Sequence, residues 1–202
     1  MILIHIITKS LSSQVGAEAL HRAKHCLRTS IIINAMVLDI LEGHTNAYDE
    51  RVHAIRPHNG QQRVAATLRA LCNSSKYPSE IYEQEKHDVQ DPYTIRCLPQ
   101  VVGITLDTIN FVEGIFTTEM NSATDNPLVF GIREGSGEEA DIISAGNFHG
   151  EYPAKALDYL TIAVHEIGNM SERRLERLCN PTCSNLPAFL VENPGKNTNG
   201  ML

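Results

Sequence analysis

Between Ser12 and Glu42, apolar or small residues return every three or four positions: Val15, Ala19, Ala23, Cys26, Leu27, Ser30, Ile31, Asn34, Val37, Leu38 and Leu41. That period fits the turn of an α-helix and not the alternation of a strand. One long amphipathic helix is therefore expected, capped at Ser12 or Ser13 and stopped at Gly43. A helix of this length has an apolar face that needs other long helices to cover it, which favours a helical bundle.

The rest of the chain supplies those partners. Thr45 to His58 is polar, contains Pro57 and reads as a connection. Asn59 can cap a second helix through Val64, Leu68 and Leu71. Pro78-Ser79-Glu80 opens a short polar helix that Asp91-Pro92 interrupts. After Pro99 a third helix carries Val102, Leu106, Ile109, Val112, Ile115, Phe116 and Met120 on one face and stops near Asn121. Pro153 sits in the first turn of a fourth, with Ala156, Leu157, Leu160, Ala163, Val164, Ile167, Met170, Leu175 and Leu178.

Strand character is confined to Leu128-Val129-Phe130 and Ile142-Ile143, flanking a Gly- and Glu-rich tip, which suggests one small hairpin. The fold class is thus mostly α: a long-helix bundle with one hairpin, and residues 1–202 read as one segment. The ends, a helix almost at once and a Gly-Met-Leu close in mid-loop, suggest a central portion whose apolar faces are covered by further chain or other subunits.

Composition narrows the function classes. A net charge of −7 with 42% hydrophobic and 20% charged residues is globular and has no basic stripe, so nucleic acid and anionic membrane are not expected partners. The longest apolar run, Ser30 to Leu41, is broken by Asn34 and Asp39 and falls short of the roughly 20 residues of a membrane span. Five scattered cysteines without a Cys-x-x-Cys pair read as reduced cytoplasmic thiols. No metal site is expected: Cys179 and Cys183 enclose Pro181, and neither His21/His25 nor His165/Glu166 has a third ligand at suitable spacing.

Three stretches could carry chemistry. In VQDPYTIRC (89–97), Gln90, Tyr93 and Arg96 stand three apart and would project to one side of a turn. Arg96 then offers a fork of donors for a carboxylate, Tyr93 a phenol able to move a proton, and Gln90 a neutral arm. The plain alternative is a solvated linker with Arg96 in a surface ion pair. SATDNPLVF (122–130) reads as a tight turn closed by Asp125 and Asn126. SAGNFHG (144–150) sets Phe148 and His149 ahead of a helix N-terminus, with His149 and Glu151 as acid and base candidates or as ordinary surface residues. Walker loops, Gly-x-Gly-x-x-Gly and Gly-x-Ser-x-Gly are absent, so nucleotide binding and serine hydrolysis have no support.

Taken in order, RPHNGQ (56–61), the 89–101 stretch, NSATDNPLVF (121–130), SAGNFHGEYPAKALDYL (144–160), SERRLERLCNP (171–181) and LPAFLVENPG (186–195) resemble the aromatic amino acid ammonia-lyase family, and within it the histidine-acting branch found in animals. The likeness runs from about Gly16 to the last residue. It implies elimination of ammonia from L-histidine to give urocanate, a homotetramer with shared active sites, and a methylidene-imidazolone electrophile made from an internal Ala-Ser-Gly.

By motif, the resemblance gives Arg96 the substrate carboxylate, Tyr93 a place beside the reacting carbon, and Gln90 a wall of the same pocket. Phe148 would pack on a ring of substrate or cofactor, and Asn126 would lie near the cofactor. The sequence departs from the family in two ways. It has no Ala-Ser-Gly, so the electrophile is not formable from this chain, and Ile7-Thr8 falls where the family carries Asn-Gly before the first helix. Two further readings follow: an inactive truncated homologue that binds or modulates full-length ammonia-lyase subunits, and a relative acting on phenylalanine or tyrosine.

Overall fold

The computed structural model describes residues 2–73, 78–79, 81, 90–131 and 140–187, with side chains from residue 13 onward. The elements are α1 (Ile2–Ile40), a 3₁₀ turn (Thr45–Tyr48), α2 (Glu50–Ala54), α3 (Asn59–Cys72), α4 (Tyr93–Arg96), α5 (Leu98–Met120), β1 (Leu128–Phe130), β2 (Asp141–Ile143), α6 (Glu151–Cys179) and α7 (Pro181–Ser184). The mostly α expectation holds, with one hairpin. Among the described residues no helix is long and apolar enough to cross a membrane.

The chain forms two compact units, Met1–Lys24 with Thr108–Ile162 and His25–Asp107 with Ala163–Leu202. In the first, α1 meets α5 and α6 at a glycine. A Cβ on Gly16 would lie 2.4 Å from Phe116 Cζ and 3.4 Å from Leu157 Cδ2, so only the smallest residue admits the Phe116 ring. Lys24 Nζ donates to Glu113 Oε1 at 2.5 Å, and Phe111 stands edge-on to Tyr159 with centroids 5.8 Å apart. The hairpin is antiparallel, with Leu128 opposite Ile143, Val129 opposite Ile142 and Phe130 opposite Asp141.

In the second unit the spacing of buried positions explains the helices. Val64, Ala65, Leu68 and Cys72 of α3, and Leu98, Val102 and Thr105 of α5, recur at helical intervals and are all buried. Each large apolar side chain so buried contributes roughly 1.5–3 kcal/mol. Between α3 and α5 the backbones touch: a Cβ on Gly60 would lie 2.0 Å from Gly103 O, and one on Gly103 would lie 2.5 Å from Gln61 N. Further along, the Thr105 hydroxyl reaches Ala163 O of α6 at 3.4 Å.

Three expectations are corrected. Helix α1 begins at Ile2, because the apolar run before Ser12 continues the helix and neither Ser12 nor Ser13 interrupts it. Its end is a Schellman closure, with Gly43 N–H to Leu38 O at 2.9 Å and Glu42 N–H to Asp39 O at 3.1 Å. The left-handed residue is Glu42 (φ 50°), not the glycine after it. The supposed connection 45–58 holds a 3₁₀ turn and α2, because Tyr48 and His53 anchor it in the core. Asn59 is the first helical residue of α3 and does not cap it. The polar helix expected from Pro78, the hairpin tip and the tail beyond Pro187 lie largely outside the described residues.

Candidate functional site

Pro92 enforces an extended backbone and cannot donate, so its carbonyl starts a new turn: it accepts the N–H groups of Ile95 (3.0 Å) and Arg96 (2.9 Å). The result is α4, a single turn. Ile95 points into the core, which leaves Tyr93 and Arg96 on the outward side. Tyr93 is 71% exposed, and the Arg96 guanidinium carbon sits 5.2 Å from the centre of its ring, within range of a cation–π contact. Gln90 lies exposed in the coil three residues before Tyr93, the first residue of the turn. The three side chains thus share one short segment, with phenol and guanidinium in contact.

What steadies this turn lies beneath it. The Tyr48 hydroxyl donates to Ile95 O at 2.8 Å, and Arg69 holds the Tyr48 carbonyl at 2.6 Å. Burial, reinforced by the Asp91 charge, pushes the Tyr48 phenol far above its ordinary range, so it stays protonated and donates. Asp91 takes the His44 backbone N–H on Oδ2 at 2.5 Å, while its Oδ1 lies 3.1 Å from His44 Nδ1. Nearby, His53 Nε2 donates to Ala47 O at 3.1 Å and Nδ1 accepts from Gln61 Nε2 at 3.0 Å, an arrangement that needs a neutral imidazole. Burial lowers the His53 pKa accordingly.

Asn126 and Phe148 belong to the first unit. Asn126 Oδ1 accepts from Ala145 N–H at 2.9 Å and from Ser144 Oγ at 3.1 Å, tying the hairpin base to the 144–150 loop. Phe148 is half-buried in that loop. His149 is exposed, and its Nδ1 accepts the Glu151 N–H at 3.3 Å, a helix-entry contact rather than an acid–base pairing of side chains. Beside this loop a cleft of about 810 Å³ is lined by Phe111, Ile115, Glu119, His149, Glu151 and Tyr152 among others. The 144–150 loop is the sequence signal for this wall; the contribution of Phe111, Ile115 and Glu119 from α5 has none.

Also unforeseen is Arg174, 4% exposed on α6, whose Nε and one terminal nitrogen have no hydrogen-bond partner among the described residues. Burial lowers its pKa. Among the described residues no group of His, Cys, Asp and Glu could hold a metal ion. The five cysteines are free thiols.

Long helices, a small hairpin and an outward Tyr-Arg turn are what the family resemblance leads one to expect. The aromatic amino acid lyase family model matches residues 6–202, and the chain belongs to that family. Within it, the chain is 53% identical over 192 residues to histidine ammonia-lyase of Bos taurus, and 56% identical over 189 residues to that of Caenorhabditis elegans. These alignments cover 94% and 93% of this chain but only 28% and 27% of the relatives. Histidine ammonia-lyase from Trypanosoma cruzi superposes with a TM-score of 0.77 at 49% identity, over 93% of this chain and 33% of that one. A tyrosine aminomutase from Streptomyces globisporus gives 0.77 at 32% identity, over 91% and 37%.

Proposed function

We propose that this chain supplies the substrate-holding part of a histidine ammonia-lyase, in which L-histidine loses ammonia to give urocanate. The observation that carries the reading is the α4 turn: a phenol and a guanidinium in contact, facing outward from a segment moored by Tyr48 and Asp91, in a chain 53% identical to a histidine ammonia-lyase. The Arg96 fork pairs with the substrate carboxylate in two parallel hydrogen bonds. Tyr93, exposed beside it, reaches the carbon that loses a proton as the Cα–N bond breaks and the amine departs as ammonia. Gln90 adds a neutral hydrogen-bonding arm. Phe148 packs on a ring, and Asn126 faces the electrophile from the hairpin base.

The 202 residues contain no Ala-Ser-Gly, so they do not build the methylidene-imidazolone of the family. That group, which activates the substrate for loss of its amine, would have to come from a segment outside this sequence. A cytoplasmic homo-oligomer is the setting that fits, supported by the free thiols and by the helix-rich family fold. In the alternative, the chain binds full-length ammonia-lyase subunits without turning over substrate, and the missing triad is what favours it.

The test is urocanate and ammonia release from L-histidine by the native assembly that contains this chain, compared with its Arg96→Lys form. Loss of a fork-shaped charged contact worth about 1.5–3 kcal/mol should raise KM for histidine roughly 10- to 100-fold. An unchanged KM would remove Arg96 from the site. An assembly silent toward histidine that still retains full-length subunits would support the modulator.

A further inference from the structure

Helix α4 has only four residues, too few to hold its own direction, since the first helical turn forms at a cost that one hydrogen bond does not recover. Its orientation must be imposed from outside. Tyr48 grips it at Ile95 O. The other grip comes one residue before Pro92, at Asp91, and we propose that His44 and Asp91 are a pair of positioning residues for Tyr93 and Arg96. This rests on the reading of Tyr93 and Arg96 as substrate-facing residues.

Both carboxylate oxygens of Asp91 are engaged by the same residue. His44 backbone N–H donates to Oδ2 at 2.5 Å, and its ring Nδ1 lies 3.1 Å from Oδ1. The pair is largely enclosed, with the Asp91 side chain 10% and the His44 side chain 23% exposed. His44 Nδ1 is shut off from solvent and, among the described residues, makes no well-aligned hydrogen bond; the 3.1 Å approach of Oδ1 is a close polar contact at the edge of the ring. One bond would tether the carboxylate and leave it free to rotate. The close ring contact at Oδ1 restricts that rotation, and with it the direction in which the chain enters Pro92.

The approach is built into the end of α1. The Schellman closure turns the chain so that Gly43 lies against the core. A Cβ there would stand 2.4 Å from Leu38 Cδ1, 3.3 Å from Ile95 Cγ2 and 3.4 Å from Asp91 Oδ2. The missing side chain at Gly43 is thus what lets the chain pass close against Leu38 on its way to His44. A continuous mechanical path runs from the C-terminus of α1 through His44 and Asp91 to the carbonyl of Pro92, which starts the turn bearing Tyr93 and Arg96.

An asparagine side-chain nitrogen branches from Cγ, as histidine Nδ1 does, so His44→Asn keeps a polar nitrogen at that place while His44→Leu removes it. In the native assembly, His44→Leu should speed hydrogen exchange at the 95–97 amides and lower kcat/KM for histidine by about 10- to 100-fold, the scale of a misplacement near 1 Å. His44→Asn should stay within about threefold of the parent in both. If His44→Leu does not assemble, His44→Ala takes its place in the comparison.

Equal exchange at 95–97 in the variant lacking that nitrogen and the parent would overturn the proposal. So would His44→Asn behaving like the variant that lacks it. Should Arg96→Lys leave the histidine KM unchanged, the site reading fails, while the exchange rates at 95–97 still judge the His44–Asp91 pair on their own.

Discussion

Gly103→Ala is expected to be among the most damaging single-methyl additions to the second unit, and its size can be worked from the backbone. The new Cβ would stand 2.5 Å from Gln61 N, 2.6 Å from Gln61 Cα and 2.9 Å from Gly60 C. All three are main-chain atoms, so no rotamer change relieves the clash. Ordinary contact begins near 3.5 Å, which obliges the start of α3 to retreat from α5 by about 1 Å. Behind it, buried Val64 and Ala65 would lose their fit. Overpacking of this kind costs about 1–3 kcal/mol, and the rigidity of the obstacle puts this case at about 3 kcal/mol.

The same helix contains its own control. A Cβ on Gly114, eleven residues along α5, meets nothing within 4 Å. Gly114→Ala should therefore stabilise, by about 0.5–1 kcal/mol, through lower backbone entropy in the unfolded chain. Urea unfolding of the two variants beside the parent, in the same assembly, reads both signs. A Gly103→Ala midpoint within error of the parent would refute the backbone-contact argument, and a destabilised Gly114→Ala would show that a neighbour covers that face.

Four other outcomes follow from the structure. Glu42→Gly should add about 1 kcal/mol of stability, since Glu42 holds a left-handed conformation (φ 50°) at which glycine has no Cβ penalty; a lower thermal midpoint would contradict this. Tyr48→Phe should cost about 1–2 kcal/mol in denaturant, because the Ile95 carbonyl loses a buried donor. His53 has a folded-state pKa below its ordinary 6.5, so the unfolded chain binds its proton first and stability should fall as pH drops below about 6.5. Acid titration of His53→Gln, less stable at pH 8, should lack that component. Arg174→Met, which removes a buried guanidinium two of whose nitrogens have no hydrogen-bond partner among the described residues, should be neutral or stabilising when followed by heat denaturation.

How much of this was legible beforehand depends on element length. Helices α5 and α6 are readable because Pro99 and Pro153 mark their first turns and the apolar period persists for over twenty residues in each. The hairpin is readable from two short runs of β-branched and aromatic residues. The segment 45–58 is not, because elements of four and five residues are too short to show a period, and what orders them is the burial of Tyr48 and His53 by distant chain. The same holds for the candidate site. Gln90, Tyr93 and Arg96 share a spacing that fits a solvated linker as well, so their proposed roles come from the family resemblance, and Asp91 reads only as a helix breaker. Nothing local links Asp91 to His44, 47 residues earlier; that link exists only once α1 has ended in its Schellman turn.

The seating of Phe116 against Gly16 has a consequence for synthesis. Leu20 and Ala23, on the same half of α1, are buried, and their unit draws its other residues from Thr108 onward. Lys24 likewise waits for Glu113, 89 positions later. At a translation rate of about 5–20 residues per second, this half of α1 emerges on the order of 5–20 s before its partners exist. His25 to Asp107, by contrast, is one uninterrupted stretch of the second unit. During that interval the nascent chain presents an uncovered apolar stripe, the kind of surface that chaperones bind, and the exposure ends when the Phe116 ring reaches the notch at Gly16.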